Sequence, residues 1–260
     1  MGSRRAESYT ASGTGAPQRR LLPGLTIADG FLRHPFDVEH GIRTSGLIAG
    51  RHLSGGQGNA RHATAYYAVA PSIFEALLAR WRRCRQTAPL NTYTFIDVGA
   101  GMGRAMLLAA EHPFRRVVGV EFHPTLAGIG RRNMQRWRAA GRALAPMRMH
   151  CCDATEFSWP AGQCVVFLFN PFGAPVLRRL VQQWARQFAT RPGELDILYV
   201  NHEQESVLRN DSGFERLFCG PIRRSRADAA AERQILNHQP DGEYAATDWE
   251  DCSIFRWVGR

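Results

Sequence analysis

Three glycines at alternate positions stand between an acid and a helix in Asp97-Val98-Gly99-Ala100-Gly101-Met102-Gly103-Arg104. The apolar residues around Asp97 read as a short strand, and the chain after Gly103 reads as a helix. A second strand, Val117-Val118-Gly119-Val120, ends on Glu121, eighteen residues past Gly103. A strand, a tight glycine turn, a helix and a strand ending on an acid lay out a nucleoside-binding crevice. Residues without a Cβ let a ligand lie against bare backbone. The Glu121 carboxylate can accept from both hydroxyls of a ribose, and a charged acceptor makes such bonds stronger. A dinucleotide site prefers G-x-G-x-x-G, whose third glycine falls where this chain has Arg104. That disfavours an NAD-dependent oxidoreductase.

Other polar groups fall at predicted strand ends. The apolar run Cys164 to Phe169 ends on Asn170-Pro171-Phe172-Gly173. Its end lies beside the point where strand order reverses in a doubly wound sheet, and a carboxamide there can both donate and accept. A plain strand-ending turn is the alternative. Asp153 follows the strand 147–151, ahead of Thr155 and Glu156, where an Asx turn or helix cap competes with a ligand contact. Tyr67 is a candidate cofactor, lid or substrate group and His202 a candidate lid or substrate group, with a solvated helix-start histidine as the alternative for His202. His150-Cys151-Cys152-Asp153 resembles a metal set, but adjacent residues on an extended chain point to opposite faces. None of the six cysteines forms a C-x-x-C pair. No metal, reduced thiols and a cytoplasmic location are expected.

The elements that must position these groups alternate. Residues 93–98, 116–121, 147–151, 164–169 and 195–200 read as strands. Helices are expected from Pro71, from about Gly103 to His112, from Pro124 and over the stretch after Gly173. Leu177, Leu180, Val181, Trp184 and Phe188 recur at helical spacing. Alternating β and α elements predict an α/β fold: a Rossmann-like, doubly wound, mostly parallel sheet with right-handed crossovers. Two late strands, 214–219 and 253–258, are expected to pair as a C-terminal antiparallel hairpin, and the polar stretch 223–248 to be an insertion loop. Residues 1–30 read as a disordered basic tail. Residues 31–70, rich in glycine, read as a segment wrapping the single domain of 31–260.

Composition narrows the partners. A chain of 260 residues with 44% hydrophobic content can build one large α/β domain. No run of about 18 apolar residues suggests a membrane span. Residues 1–20 lack the apolar core of a secretory signal, and a transit peptide is the weaker alternative. A net charge of +10 invites nucleic acid, yet the chain contains no lysine at all. The arginine pairs, among them Arg82-Arg83, Arg131-Arg132 and Arg223-Arg224, are scattered, which favours a solvated surface.

Asp97-x-Gly99-x-Gly101-x-Gly103 resembles motif I of class I methyltransferases that use S-adenosylmethionine (SAM). Residues 93–218 resemble that domain, most of all bacterial single-domain members. The likeness includes Tyr66-Tyr67-Ala68-Val69-Ala70-Pro71, Val117 to Glu121, Asp153-Ala154 and Asn170-Pro171-Phe172. It implies that Tyr67, Asp97, Gly99, Gly101, Gly103, Glu121 and Asp153 bind SAM. Glu121 would take the ribose, Asp153 the adenine amine, and Asp97 the loop or the SAM amino group. Asn170, Pro171 and Phe172 resemble the N-P-P-Y motif of amino-directed enzymes, with one proline missing. They would hold the methyl acceptor, a nitrogen of a protein or nucleic acid. A SAM-binding regulatory or partner module without turnover is the alternative.

Overall fold

The computed structural model describes residues 26–28, 31–53, 62, 64–84, 88–238 and 246–260. In chain order the elements are β1 (Thr26–Ala28), β2 (Phe31–Arg33), α1 (Pro35–His40), α2 (Gly50–Leu53), α3 (Pro71–Cys84), β3 (Thr94–Val98), α4 (Arg104–Ala110), β4 (Arg116–Glu121), α5 (Pro124–Ala139), β5 (Met147–Cys151), β6 (Cys164–Phe169), α6 (Ala174–Gln187), β7 (Leu195–Val200), α7 (Glu205–Arg209), β8 (Phe214–Arg223), α8 (Arg226–Asn237) and β9 (Trp249–Trp257). Seven strands form one sheet in the order β5-β4-β3-β6-β7-β9-β8. The first five are parallel, and β9 pairs antiparallel with both β7 and β8. This is the Rossmann-like α/β sheet with an antiparallel C-terminal pair that the element order predicts.

Alternation along the central strands divides the core. Phe95 of β3 joins Phe74, Leu77, Trp81 and Met106 on one face, whereas Ile96 and Val98 join Leu177, Leu180 and Trp184 on the other. β3 and β6 are buried along their lengths, as strands covered on both faces must be. α6 shows why sequence periodicity suffices for such a helix. A proline sits in its first turn, and Val176, Leu177, Leu180, Val181 and Trp184 all face the sheet.

Strand order reverses at β3 and β6, so a crevice opens at their carboxyl ends. There the glycine turn and the Asn170-Pro171 turn meet. A Cβ at Gly99 would overlap the Pro171 ring, and the φ of +75° there also favours glycine.

Three expectations need correction. Residues 226–237, expected as loop, form α8. Its cap was readable: Ser225 Oγ accepts from Asp228 N at 3.0 Å, and helix-favouring residues follow. β8 runs in the same sense as β7, so α8 begins at the edge that carries the crevice. Its first turn is tied to that of α3: Ser72 N donates to Asp228 Oδ2 at 2.8 Å and Ser225 N to Ser72 Oγ at 2.9 Å. The late strands pair antiparallel as expected but are longer, Phe214–Arg223 and Trp249–Trp257, and α8 lies in the connection between them. Finally, Thr26–Ala28, assigned to the tail, pair antiparallel with Phe31–Arg33. The rest of the tail, the glycine cluster at 55–58 and part of the insertion, 239–245, lie outside the described residues.

The wrapping segment is fastened by charge. Arg104, the first residue of α4, turns away from the crevice and is buried. Its guanidinium donates to Thr44 Oγ1 at 2.7 Å and to Ser45 Oγ at 3.2 Å, and pairs with the fully buried Asp37 at 3.4 Å. Burial alone would raise the Asp37 carboxyl. Arg104 and the donors of Thr44 and Ser45 outweigh it and hold the group below its ordinary value.

Candidate cofactor cleft

A cleft of about 840 Å³, counting space open to solvent, runs along the carboxyl ends of β4, β5, β3 and β6. Tyr67, Gly99, Glu121, Asp153, Pro171 and Phe172 line it, so six of the ten residues singled out in the sequence converge there. Asp97, Gly101, Gly103 and Asn170 lie behind the wall or beside it.

Glu121 is the best-defined group. It ends β4 and is largely buried. Oε2 accepts from Gly101 N at 2.7 Å and Oε1 from His123 N at 2.7 Å. Each oxygen retains a lone pair, so the carboxylate is oriented yet able to accept further bonds. Burial raises its pKa, opposed by those backbone donors. Asp97 shares this environment. Burial, then the charge of Glu121, pushes its carboxyl up to about 8.

Gly101 does something the sequence did not reveal. A Cβ there would overlap the Tyr66 ring, not a ligand in the cleft. Tyr66 is pinned by its hydroxyl, which donates to Thr44 O at 2.7 Å, and by the bridge between Ile48 and Tyr66. The wrapping segment therefore lies directly on the glycine turn. Gly103 caps α4 with a φ of 89°.

Asp153 has a local role: Oδ1 accepts from Thr155 N at 2.8 Å and Thr155 Oγ1 at 2.7 Å. The cap reading is thus present beside whatever Asp153 offers the cleft. Tyr67 lines the cleft and packs against Leu32, Ala231 and Ile235. Burial holds its hydroxyl well above the ordinary value, with Glu232 adding to the effect. Arg224, placed by the sequence on a solvated surface, is instead buried. It forms ion pairs with Glu232 and Glu250.

Sequence reasoning missed Phe122, His123, Leu126, Cys152 and Val176, which also line the cleft. Phe122 is 47% exposed. An aromatic directly after the strand-ending acid was the available signal. Asn170 adopts a left-handed φ of 40°, and its carbonyl accepts from Thr64 Oγ1. His202 precedes α7, which starts at Glu205, and its ring is half-buried rather than solvated. Among the described residues no group of three metal-ligating side chains occurs.

No protein-family model and no curated protein sequence matches the chain. Solved structures of similar fold include a precorrin-6y C5,15-methyltransferase from Geobacter metallireducens, 15% identical over 71% of this chain and 88% of that one, TM-score 0.45. Another is a SAM-dependent methyltransferase from Thiobacillus denitrificans in complex with S-adenosylhomocysteine, 15% identical over 73% and 93%, TM-score 0.44. The [4+2]-cyclase SpnF is 16% identical over 72% and 81%, TM-score 0.49. The cleft itself, not these distant likenesses, carries the functional reading.

Proposed function

We propose that the protein is a SAM-dependent methyltransferase that transfers methyl to a nitrogen of a protein or nucleic acid. The observation that carries the cofactor is Glu121: a buried carboxylate at the crevice, oriented by two backbone N–H groups and retaining acceptor capacity. Glu121 accepts the ribose hydroxyls, Gly99 offers bare backbone, and Asp97 meets the cationic amino group. Asp153 accepts from the adenine amine, with Phe122 and Phe172 against the ring. Bound SAM supplies a methyl group already activated on a sulfonium. The chain's task is then to orient the acceptor and exclude water. Pro171 and Phe172 wall the cleft where methyl and acceptor meet, and Asn170 beside them holds the acceptor. The free thiols fit the reducing cytoplasm. Among the described residues no helix is long and apolar enough to cross a membrane.

Calorimetry with SAM and S-adenosylhomocysteine tests the cofactor, and binding of neither refutes it. Labelled methyl transferred from SAM into the protein, nucleic-acid or small-molecule fraction of a lysate tests turnover and reveals the acceptor class. Binding without transfer would instead favour a regulatory module.

A further inference from the structure

β6 and β7 pair through Phe169 and Val200. Asn170 and Asn201 therefore occupy equivalent places, each one residue past neighbouring strand ends. Both adopt left-handed backbone, with φ of 40° and 46°, and among the described residues no other non-glycine does so. Glycine would make either turn without strain. At both ends the chain keeps a carboxamide instead, and a strained residue at a crevice points towards function.

Neither carboxamide makes a hydrogen bond among the described residues. Asn170 is only 7% exposed, and its Oδ1 is buried without a partner. His202, the next residue after Asn201, has its Nδ1 buried and unpartnered as well. Buried polar atoms are nearly always satisfied, so two orphans at adjoining strand ends call for a ligand. The groups on offer are uncharged. Burial holds the His202 imidazole below its ordinary value, which keeps it neutral near pH 7. The charged groups around it are Glu205, Asp251 and Arg216, and Glu205 is committed to Arg209 and Arg216. Glu203 and Asp251 are exposed, so among the described residues no buried, uncommitted carboxylate stands at either strand end to neutralise a buried cation.

We infer that Asn201 and His202 complete, with Asn170, an acceptor site at the end of β6 and β7 that takes an uncharged group able both to donate and to accept hydrogen bonds. An ammonium group would enter without a buried counter-charge and lose its hydration. The inference rests on the methyltransferase reading for what the bound group does there. The site itself stands on the strand ends.

The test uses the full chain saturated with S-adenosylhomocysteine and labelled with ¹⁵N in asparagine side chains. Acetamide and methylammonium are the two probes. Acetamide is expected to shift the side-chain amide signals of Asn170 and Asn201, and methylammonium to leave them in place. Asn201→Gly, which keeps the left-handed turn, should weaken acetamide binding about tenfold while S-adenosylhomocysteine binds within twofold of the parent. Unmoved asparagine signals, methylammonium binding as well as acetamide, or an Asn201→Gly variant that binds acetamide like the parent would each overturn the inference. A parent that fails to bind S-adenosylhomocysteine removes the methyltransferase reading too. Cofactor binding with a silent Asn201 removes only the acceptor site.

Discussion

Glu121 and Asp97 show how one crevice gives two acids different work. Glu121 is oriented by backbone donors, so its replacement removes a charge-assisted acceptor. Glu121→Ala should weaken SAM binding by about 1.5–3 kcal/mol, roughly ten- to hundredfold. Calorimetry checks this, and parental affinity would reject the ribose role. Asp97 differs because it is pushed up to about 8 and so is mostly protonated at pH 7. A cofactor ammonium beside it favours the ionised form. Binding at pH 7 should therefore release protons, seen as a heat that depends on the buffer's ionisation enthalpy. SAM affinity should rise from pH 6 to pH 7.5. Asp97→Asn should flatten that rise, and an unchanged profile would separate Asp97 from the amino group. For Asn170, substitution by glycine preserves the left-handed turn. Turnover should fall on the order of a hundredfold with SAM affinity within a few-fold, which kinetics on the identified acceptor would measure.

At the scale of elements, the glycine turn is a meeting place for two other segments. Gly99 makes room for Pro171, and Gly101 makes room for Tyr66. Gly101→Val should abolish SAM binding by displacing Tyr66 and the adjoining cleft wall, with the α/β circular dichroism spectrum retained. Normal binding would show that the wall yields without consequence. The segment that carries Tyr66 is held by Arg104 and Asp37, both buried. Arg104→Ala leaves that carboxylate without its counter-charge and should cost about 3–5 kcal/mol in denaturant unfolding. A loss below about 1 kcal/mol would mean that the Thr44 and Ser45 donors suffice. Arg104 was readable as a reason against a dinucleotide. Its buried partner was not, because Asp37 lies 67 residues away in sequence.

For the whole molecule, buried carboxyls and imidazoles set opposing pH trends. Asp97 is raised from 3.8 to about 8 and Glu232 from 4.5 to about 7, and Glu121 is raised as well. Between their unfolded and folded values the native state binds more protons, so stability grows as pH falls from about 8. His34 works the other way: burial, then Arg104, lowers it from 6.5 to about 4. Below pH 6.5 the unfolded chain takes up a proton that native His34 refuses, which offsets part of the gain from the acids. Ligand-free protein should therefore melt higher at pH 6 than at pH 8, with His34 making the further gain below pH 6.5 shallower. SAM should stabilise more at pH 8 than at pH 6, since it favours ionised Asp97. A melting temperature that climbs steadily from pH 6 to pH 8.5 would contradict the buried protonated acids.

Local pattern alone determined the alternation of strands and helices, the glycine turn and the acid at the end of β4. Each is written in neighbouring residues: apolar runs, helical spacing, and glycines where a side chain cannot fit. α8 was legible too, through Ser225 and Asp228, but its polar composition masked a helix whose buried face is short. Only the tertiary structure placed Tyr66 over Gly101, joined Ser72 to Asp228 across 156 residues, and set Asn201 beside Asn170. Such contacts arise when strand order brings distant ends to one edge of a sheet. They leave no periodicity in the chain, because neither partner's neighbours carry information about the other.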